Sequence, residues 1–322
     1  SKFIKEGVVI QKQFGDLIEK FNVANDLKEK LTKMGCDSND LKSLALSKFT
    51  EQCKEFCKII QFLDYLLRER KSNFVVVVNF PDFFKDILKE KIENKAKLLN
   101  FNYFTTFIAV IKFFYKRIKL KFKNLLSKKK YINSTNKKVN LEKFSTIFFP
   151  HQGIYYGDIF KKDYFYSKKI NSNFYPKNIL HLSISDQHLN TEKTNEFYKK
   201  NDIINIDLNS LKEISLFKII FISLKFFLKY FFLKKNSLHC VFFFLNLWLS
   251  IEKSLIQLDN IPNAKIAIFG FDILSSRSIA IACKIKKITT ISIQERFMAL
   301  WAGNSFFIFD HYLSFNNDIE SF

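Results

Sequence analysis

The chain has 322 residues, of which 48% are hydrophobic and 26% charged, and its formal net charge is +21. Such a length and apolar content suffice for one large or two medium domains around a buried core, which excludes a disordered chain. The charge excess selects anionic partners as a class, namely nucleic acid, anionic lipid or phosphorylated small molecules, without choosing among them.

Phe is abundant (40), while Gly (7), Pro (4) and Trp (2) are scarce. With Lys, Ile and Asn also favoured, this is the bias of an AT-rich gene that writes Phe and Lys wherever the fold permits. Only Arg68, Arg70, Arg117, Arg277 and Arg296 depart from the lysine default. A guanidinium offers a rigid fork for carboxylate or phosphate, so the two C-terminal arginines stand out. The cysteines (Cys36, Cys53, Cys57, Cys240, Cys283) include no C-x-x-C. Cys53 and Cys57 are one helical turn apart with no His nearby, which reads as reduced packing thiols of a cytoplasmic protein. The chain opens without Met and without a signal-peptide pattern, and is read as a fragment or trimmed chain.

In chain order, residues 10 to 70 carry helical patterning, with Leu17, Phe21, Leu27 and Leu31 at helical spacings. The run "FVVVV" at 74–78 then predicts the first buried strand, and the Rossmann-like part is expected to begin there. Two helical stretches follow. The second, Asn102 to Tyr131, alternates basic residues with Phe, Ile and Leu. Five further strands are predicted from "STIFFP", "NILHLSIS", "DIINIDL", "KIAIFGF" and "ITTISIQ", several of them separated by helical patterns, as in an α/β parallel sheet. Leu216 to Lys235 is strongly apolar but interrupted by Lys218, Lys225 and Lys229, and the uncharged run after it is about sixteen residues, short of the roughly twenty that span a bilayer. Both are read as buried or interfacial helices flanking the sheet.

In open parallel sheets ligands bind beyond the carboxyl ends of the strands. His151, Gln152 and Gly153 directly follow the strand "TIFF", and Gly157 further relaxes the backbone there. A His at such a place, with an ordinary pKa of about 6.5, is either an acid, base or phosphate contact, or a turn residue without chemistry. After "KIAIFGF" comes "DILSSRS", where Asp272, Ser275 or Ser276 can cap the next helix while Arg277 occupies its first turn. Free amides and the helix dipole there suit an anion, ordinary N-capping being the alternative. Gln294, Glu295 and Arg296 end the next strand, as a polar site or as a solvated pair. His181 and His239 read as packing residues. No H-E-x-x-H, P-loop or G-x-G-x-x-G occurs.

The order of "FFPHQGIYYGDIFKKDYFYS", "NILHLSIS", "SSRSIAIACKIKKITTISIQERF" and "FDHYLSF" resembles the N-terminal half of GT-B-type glycosyltransferase-like proteins of bacterial surface polysaccharide biosynthesis. The resemblance spans roughly residues 145 to 322. Where many relatives turn through Gln-His-Gly, this chain has Gln294, Glu295 and Arg296. It implies an α/β fold, a Rossmann-like parallel sheet flanked by helices as the first half of a GT-B architecture. The corresponding organisation is a helical segment over 1–72, a Rossmann-like domain over 73–315 with the basic insertion at about 102–131, and over 316–322 the start of a linker to a missing second domain.

The implied activity is transfer of a sugar from a nucleotide-activated donor to a surface glycan or lipid-linked acceptor, by a cytoplasmic protein peripheral on the inner face of the cytoplasmic membrane. No cofactor or metal is expected, since no D-x-D lies at a strand end; the nucleotide-sugar is substrate. His151, Asp272 and Glu295 are the candidate bases, and Gln152, Gly153, Ser275, Ser276, Arg277, Gln294 and Arg296 the candidate substrate contacts. The competing class is a non-enzymatic basic module for anionic membrane or nucleic acid. Basic and aromatic residues interleave over 113–130, but no nucleic-acid-binding motif accompanies them. Nine basic residues and no acid over 102–131, with Phe107, Ile111, Phe114, Ile118 and Phe122 at helical spacings, lead us to expect a helix lying in an anionic lipid interface; packing of that stripe on the sheet is the alternative.

Overall fold

In a computed structural model of the chain, the described residues are 14, 16, 18–68, 75–78, 96–99, 111–116, 118–119, 139–149, 178–183, 199, 203–212, 214–234, 238–270, 276–293 and 308–313. The chain divides into two compact units. The first comprises Ser1–Ser134, Ser215–Leu249 and Leu300–Phe306, and the second Thr135–Ile214, Ser250–Ala299 and Phe307–Phe322.

The first unit is built on helices. Helix α1 (Asn22–Lys33) buries Val23, Ala24, Leu27 and Leu31 on one face. Its end is closed by Gly35, whose φ of 90° only glycine adopts without strain. Two bonds satisfy the last carbonyls, Gly35 N to Thr32 O and Cys36 N to Leu31 O, both at 3.0 Å. Helix α2 (Asp40–Arg68) is opened by Asp40, whose carboxylate accepts from the Asp37 amide at 2.8 Å.

The apolar centre of this unit is aromatic. Phe14 stacks on Phe49 at 4.0 Å and meets Phe243 edge-on at 5.5 Å. Strand β1 (Val75–Val78), expected to open the Rossmann-like sheet, instead pairs in parallel with β2 (Ala96–Leu99) in a separate two-stranded sheet. β-branched propensity forecasts a buried strand but not which partner it takes, and "AKLL" carries no strand signal of its own.

Leu216–Phe226 forms α3, capped by the Ser215 hydroxyl, which accepts from the Lys218 amide at 3.2 Å. It runs on as a π-helical segment, Phe227–Leu233. The wider turn is closed by Lys234 N to Lys229 O at 3.1 Å, a five-residue step. Lys229 and Lys234 thereby reach the same carboxylate of α1, Asp26, at 2.7 and 2.9 Å. Burial pushes the Asp26 carboxyl up, and the hydrogen bonds from the two lysines outweigh it, so the group stays below the ordinary aspartate range. Helix α4 (Leu238–Leu258) follows and is, among the described residues, the one helix long and apolar enough to cross a bilayer; 61% of it is buried, including Val241, Leu245, Trp248 and Ile251.

The second unit contains a six-stranded sheet in which every pairing is parallel: β3 (Thr146–Phe149), β4 (Ile179–Ser183), β5 (Ile204–Asp207), β6 (Ile266–Phe269), β7 (Thr289–Ile293) and β8 (His311–Leu313), in the order β5-β4-β3-β6-β7-β8. All five strands predicted from the sequence over this region are present, and "FDHYLSF" supplies the sixth. The chain starts in the middle, builds outward to β5, then returns to the other side of β3. This is the doubly wound, Rossmann-like order, an α/β fold with helices flanking the sheet. Continuous burial of β4 and the cluster of Phe148, Ile179 and Ile268 fit strands covered on both faces. The C-terminal part of α4 is tied to the sheet by Gln257, which donates to the Leu208 carbonyl at 2.9 Å, and by Lys253, which donates to Asn209 at 3.0 Å. Helix α5 (Arg277–Ile285) then leads into β7 through Lys287, held at φ 58°.

The last strand is locked by a reciprocal pair at its amino end. Asp310 accepts from the amide and the hydroxyl of Thr290, each at 2.8 Å, and its own amide donates back to the Thr290 hydroxyl at 2.9 Å. Asp310→Ala would leave two partly buried donors of Thr290 without an acceptor, so we expect a loss of about 1–3 kcal/mol in urea-unfolding free energy. Thr290→Val in the Asp310→Ala background should then cost much less than in the wild type, a coupling that a double-mutant cycle reads directly.

Candidate functional site at the carboxyl edge of the sheet

Because all six strands are parallel, their carboxyl ends share one edge of the sheet. The strand order reverses between β3 and β6, which are registered from Thr146↔Ile266 to Phe149↔Phe269. The ladder continues one residue further, Gly270 N donating to Phe149 O at 3.0 Å. In doubly wound sheets the point where the strand order reverses is the usual ligand position. Next to it, Phe269 is registered with Ser292 of β7.

His151, Gln152 and Gly153, which follow β3, lie outside the described residues, as do Asp272 and Ser275 after β6 and Gln294, Glu295 and Arg296 after β7. Ser276 and Arg277 are described. Ser276 is the N-cap residue of α5, but its side chain makes no capping bond; its hydroxyl instead pairs with that of Ser278 at 2.9 Å. Of the three residues expected as possible caps, Ser276 thus occupies the N-cap position without a side-chain capping bond, and Asp272 and Ser275 lie outside the described residues. Arg277 is the first helical residue and only 5% exposed. A buried guanidinium requires compensation by an anion or strong acceptors, and here it coincides with the positive end of the helix.

Other polar groups at this edge escape motif reading. Ser183 ends β4 and is buried, Asp207 ends β5 and accepts from the Asn209 amide at 2.8 Å, and the buried Ser292 hydroxyl in β7 makes no hydrogen bond among the described residues. Their place in the strands is the signal that finds them, since Ser183 and Asp207 are the last residues of β4 and β5 and Ser292 the last but one of β7.

His181 lies in the middle of β4, fully buried, with its ring edge-on to Phe148 at 5.0 Å. Desolvation pulls its pKa down to about 3, so the ring is neutral at physiological pH and serves packing, as its position inside an apolar run predicts. Cys36, Cys240 and Cys283 are buried free thiols. Burial pushes the Cys240 thiol up to about 12, and burial with the nearby Asp310 carboxylate pushes Cys283 higher still, so neither is a nucleophile. Among the described residues no group of His, Cys, Asp and Glu has the make-up of a metal site. Comparison of the chain with protein-family models, with curated proteins and with solved structures gives no match.

The buried imidazole has a measurable consequence for stability. Its folded pKa is depressed below the unfolded value, so the unfolded chain binds the extra proton as pH falls below about 6.5 and stability is lost between there and about 3. At pH 5 this amounts to about 2 kcal/mol relative to pH 7. Urea unfolding of the wild type should show that decline, and His181→Phe should flatten it; an equally steep slope in the variant would assign the proton uptake elsewhere.

Proposed function

We propose that this chain is a glycosyltransferase-like protein, the acceptor-side half of a GT-B architecture, acting in transfer of a sugar from a nucleotide-activated donor to a glycan or lipid-linked acceptor. One observation carries the reading: the three polar motifs of the sequence follow the carboxyl ends of three neighbouring central strands, β3, β6 and β7, and two of those strands flank the reversal of strand order. His151 is two residues past Phe149, Asp272 three past Phe269 and Glu295 two past Ile293. Chain connectivity alone therefore holds them within about 8 to 11 Å of adjacent strand ends.

In the inverting form of this chemistry the acceptor hydroxyl oxygen attacks the anomeric carbon, the bond from that carbon to the donor phosphate breaks, and the nucleoside diphosphate departs with the electron pair. A base removes the hydroxyl proton, and His151, Asp272 and Glu295 are the groups of suitable chemistry at this edge. Buried Arg277 at the N-terminus of α5 adds its charge to the helix dipole, which favours a phosphate or carboxylate. Gln152, Gly153, Ser275, Ser276, Gln294 and Arg296 complete the contacts at the same edge.

The decisive experiment follows nucleoside diphosphate release from a panel of nucleotide-sugars by the protein expressed from its complete reading frame, so that a donor-binding half is present, together with glycan or lipid-linked acceptor fractions. Release should depend on the acceptor. Among His151→Ala, Asp272→Asn and Glu295→Gln, the variant lacking the base should lose about 10²- to 10⁴-fold in kcat. Arg296→Lys should impair turnover more than Lys119→Arg, because only the first removes a bidentate contact. Acceptor-dependent release that ignores all these substitutions would place the chemistry elsewhere, and binding without release would favour a non-enzymatic module.

A further inference from the structure

Helix α3 and its π-helical continuation, Leu216–Leu233, carry two apolar faces where a surface helix normally carries one. Ile219, Phe226, Phe227 and Tyr230 are buried in the first unit, with Phe227 against Phe242 and Phe113. On the other side Phe217, Phe221, Leu224, Leu228, Phe232 and Leu233 are between 56% and 85% exposed. Steps of four, three, four and four residues keep the first five on one line along a helix. The line is on the order of 25 Å long. Five large apolar side chains in a row facing water, with Leu233 beyond them, mark a contact surface.

Charge decides what the contact is. From Ile214 to Ile251 the sequence holds no Asp or Glu. Lys218 and Lys225, both exposed, stand about 80–100° from Phe217 around the helix, so they border the apolar line along one flank. A second copy of the chain would bring two basic flanks together on molecules that each carry +21. Nucleic acid would seat Leu224, Leu228 and Leu233 against phosphates. A bilayer with anionic headgroups satisfies both parts, acyl chains taking the Phe and Leu side chains and headgroups taking the lysines.

We propose that this face docks on an anionic lipid bilayer, with the axis of Leu216–Leu233 parallel to the membrane plane and Phe217, Phe221, Leu224, Leu228 and Phe232 in the interfacial layer. The opposite face is already packed and Lys229 and Lys234 already hold Asp26, so docking requires no folding of the segment. The surface is distinct from the basic stretch 102–131, most of which lies outside the described residues and of which Ile111 and Tyr115 are exposed. The proposal does not rest on the transferase reading, because it concerns adsorption and not turnover.

Flotation of the full chain with vesicles of phosphatidylcholine, and of phosphatidylcholine and phosphatidylglycerol in equal parts, tests it. The wild type should float with the anionic vesicles, less with the neutral ones, and less again as salt is raised. The triple variant Phe221→Ser, Leu224→Ser, Leu228→Ser should bind anionic vesicles at least about tenfold more weakly, with its thermal unfolding unchanged because all three side chains are exposed. As a second reading, the Phe221→Trp variant should gain a blue-shifted emission on adding anionic vesicles, quenched by brominated acyl chains. Flotation equal in wild type and triple variant, or an indole at position 221 that lipid neither shifts nor quenches, overturns the proposal. So does a wild type that ignores vesicles and forms dimers which the triple variant abolishes, since the stripe would then be a self-interface.

Discussion

Strand β3 is hydrogen-bonded on both sides, to β4 and to β6, and much of the second unit depends on that double pairing. Thr146 is registered with Ile179 in one direction and Ile266 in the other, although these partners are 33 and 120 residues away along the chain. The chain after β3 therefore leads to strands on one lateral side of it, and the chain after β6 to strands on the other. The reversal of strand order at the carboxyl edge follows from this constraint and not from any one side chain. So does the slow step expected of its folding, since long-range parallel pairings need costly loop closure before they are rewarded.

The first unit solves a different packing problem with a restricted alphabet. Phe is used where other proteins would mix aliphatic side chains, and the rings meet in offset and edge-on geometries: Phe14 on Phe49, Phe243 against Phe244, and Phe113 tilted on Phe242 at 5.1 Å. Such contacts contribute beyond their buried area and tolerate small rotations of the ring. Lysine is used with similar breadth. Lys30 lies over the Trp248 ring at 3.5 Å, linking α1 to α4 through a cation and a π face.

The sheet was largely legible in the sequence because each strand is a short run of apolar residues closed by a polar or glycine-bearing turn. β6, "IAIF" before Gly270, is representative. Non-local choices were not legible. The pairing of Val75–Val78 with Ala96–Leu99 and away from the main sheet depends on tertiary neighbours that no local window contains. The segment that forms α3 was read as buried or interfacial because Lys218, Lys225 and Lys229 interrupt its apolar run, and only the exposures tell its buried face from its water-facing one. The strands that the candidate residues follow were legible, since strand ends can be predicted. The orientation of His151, Asp272 and Glu295 was not, because they belong to connecting segments whose course local patterning does not specify.

The π-helical turn at Phe227–Leu233 has an implication for how this region could change over time. A π segment is geometrically an α-helix with one residue too many, and its wider loop keeps Lys229 and Lys234 over one carboxylate five positions apart. Removing a single residue there would close the wider turn into ordinary α winding and leave the residues on either side facing nearly as they do now. The five-residue step that now brings Lys229 and Lys234 to the same carboxylate is the part that would be lost. The segment therefore works as a phase adjuster: its wider turn takes up an extra residue locally, so a length change of one residue within it need not turn the winding on either side.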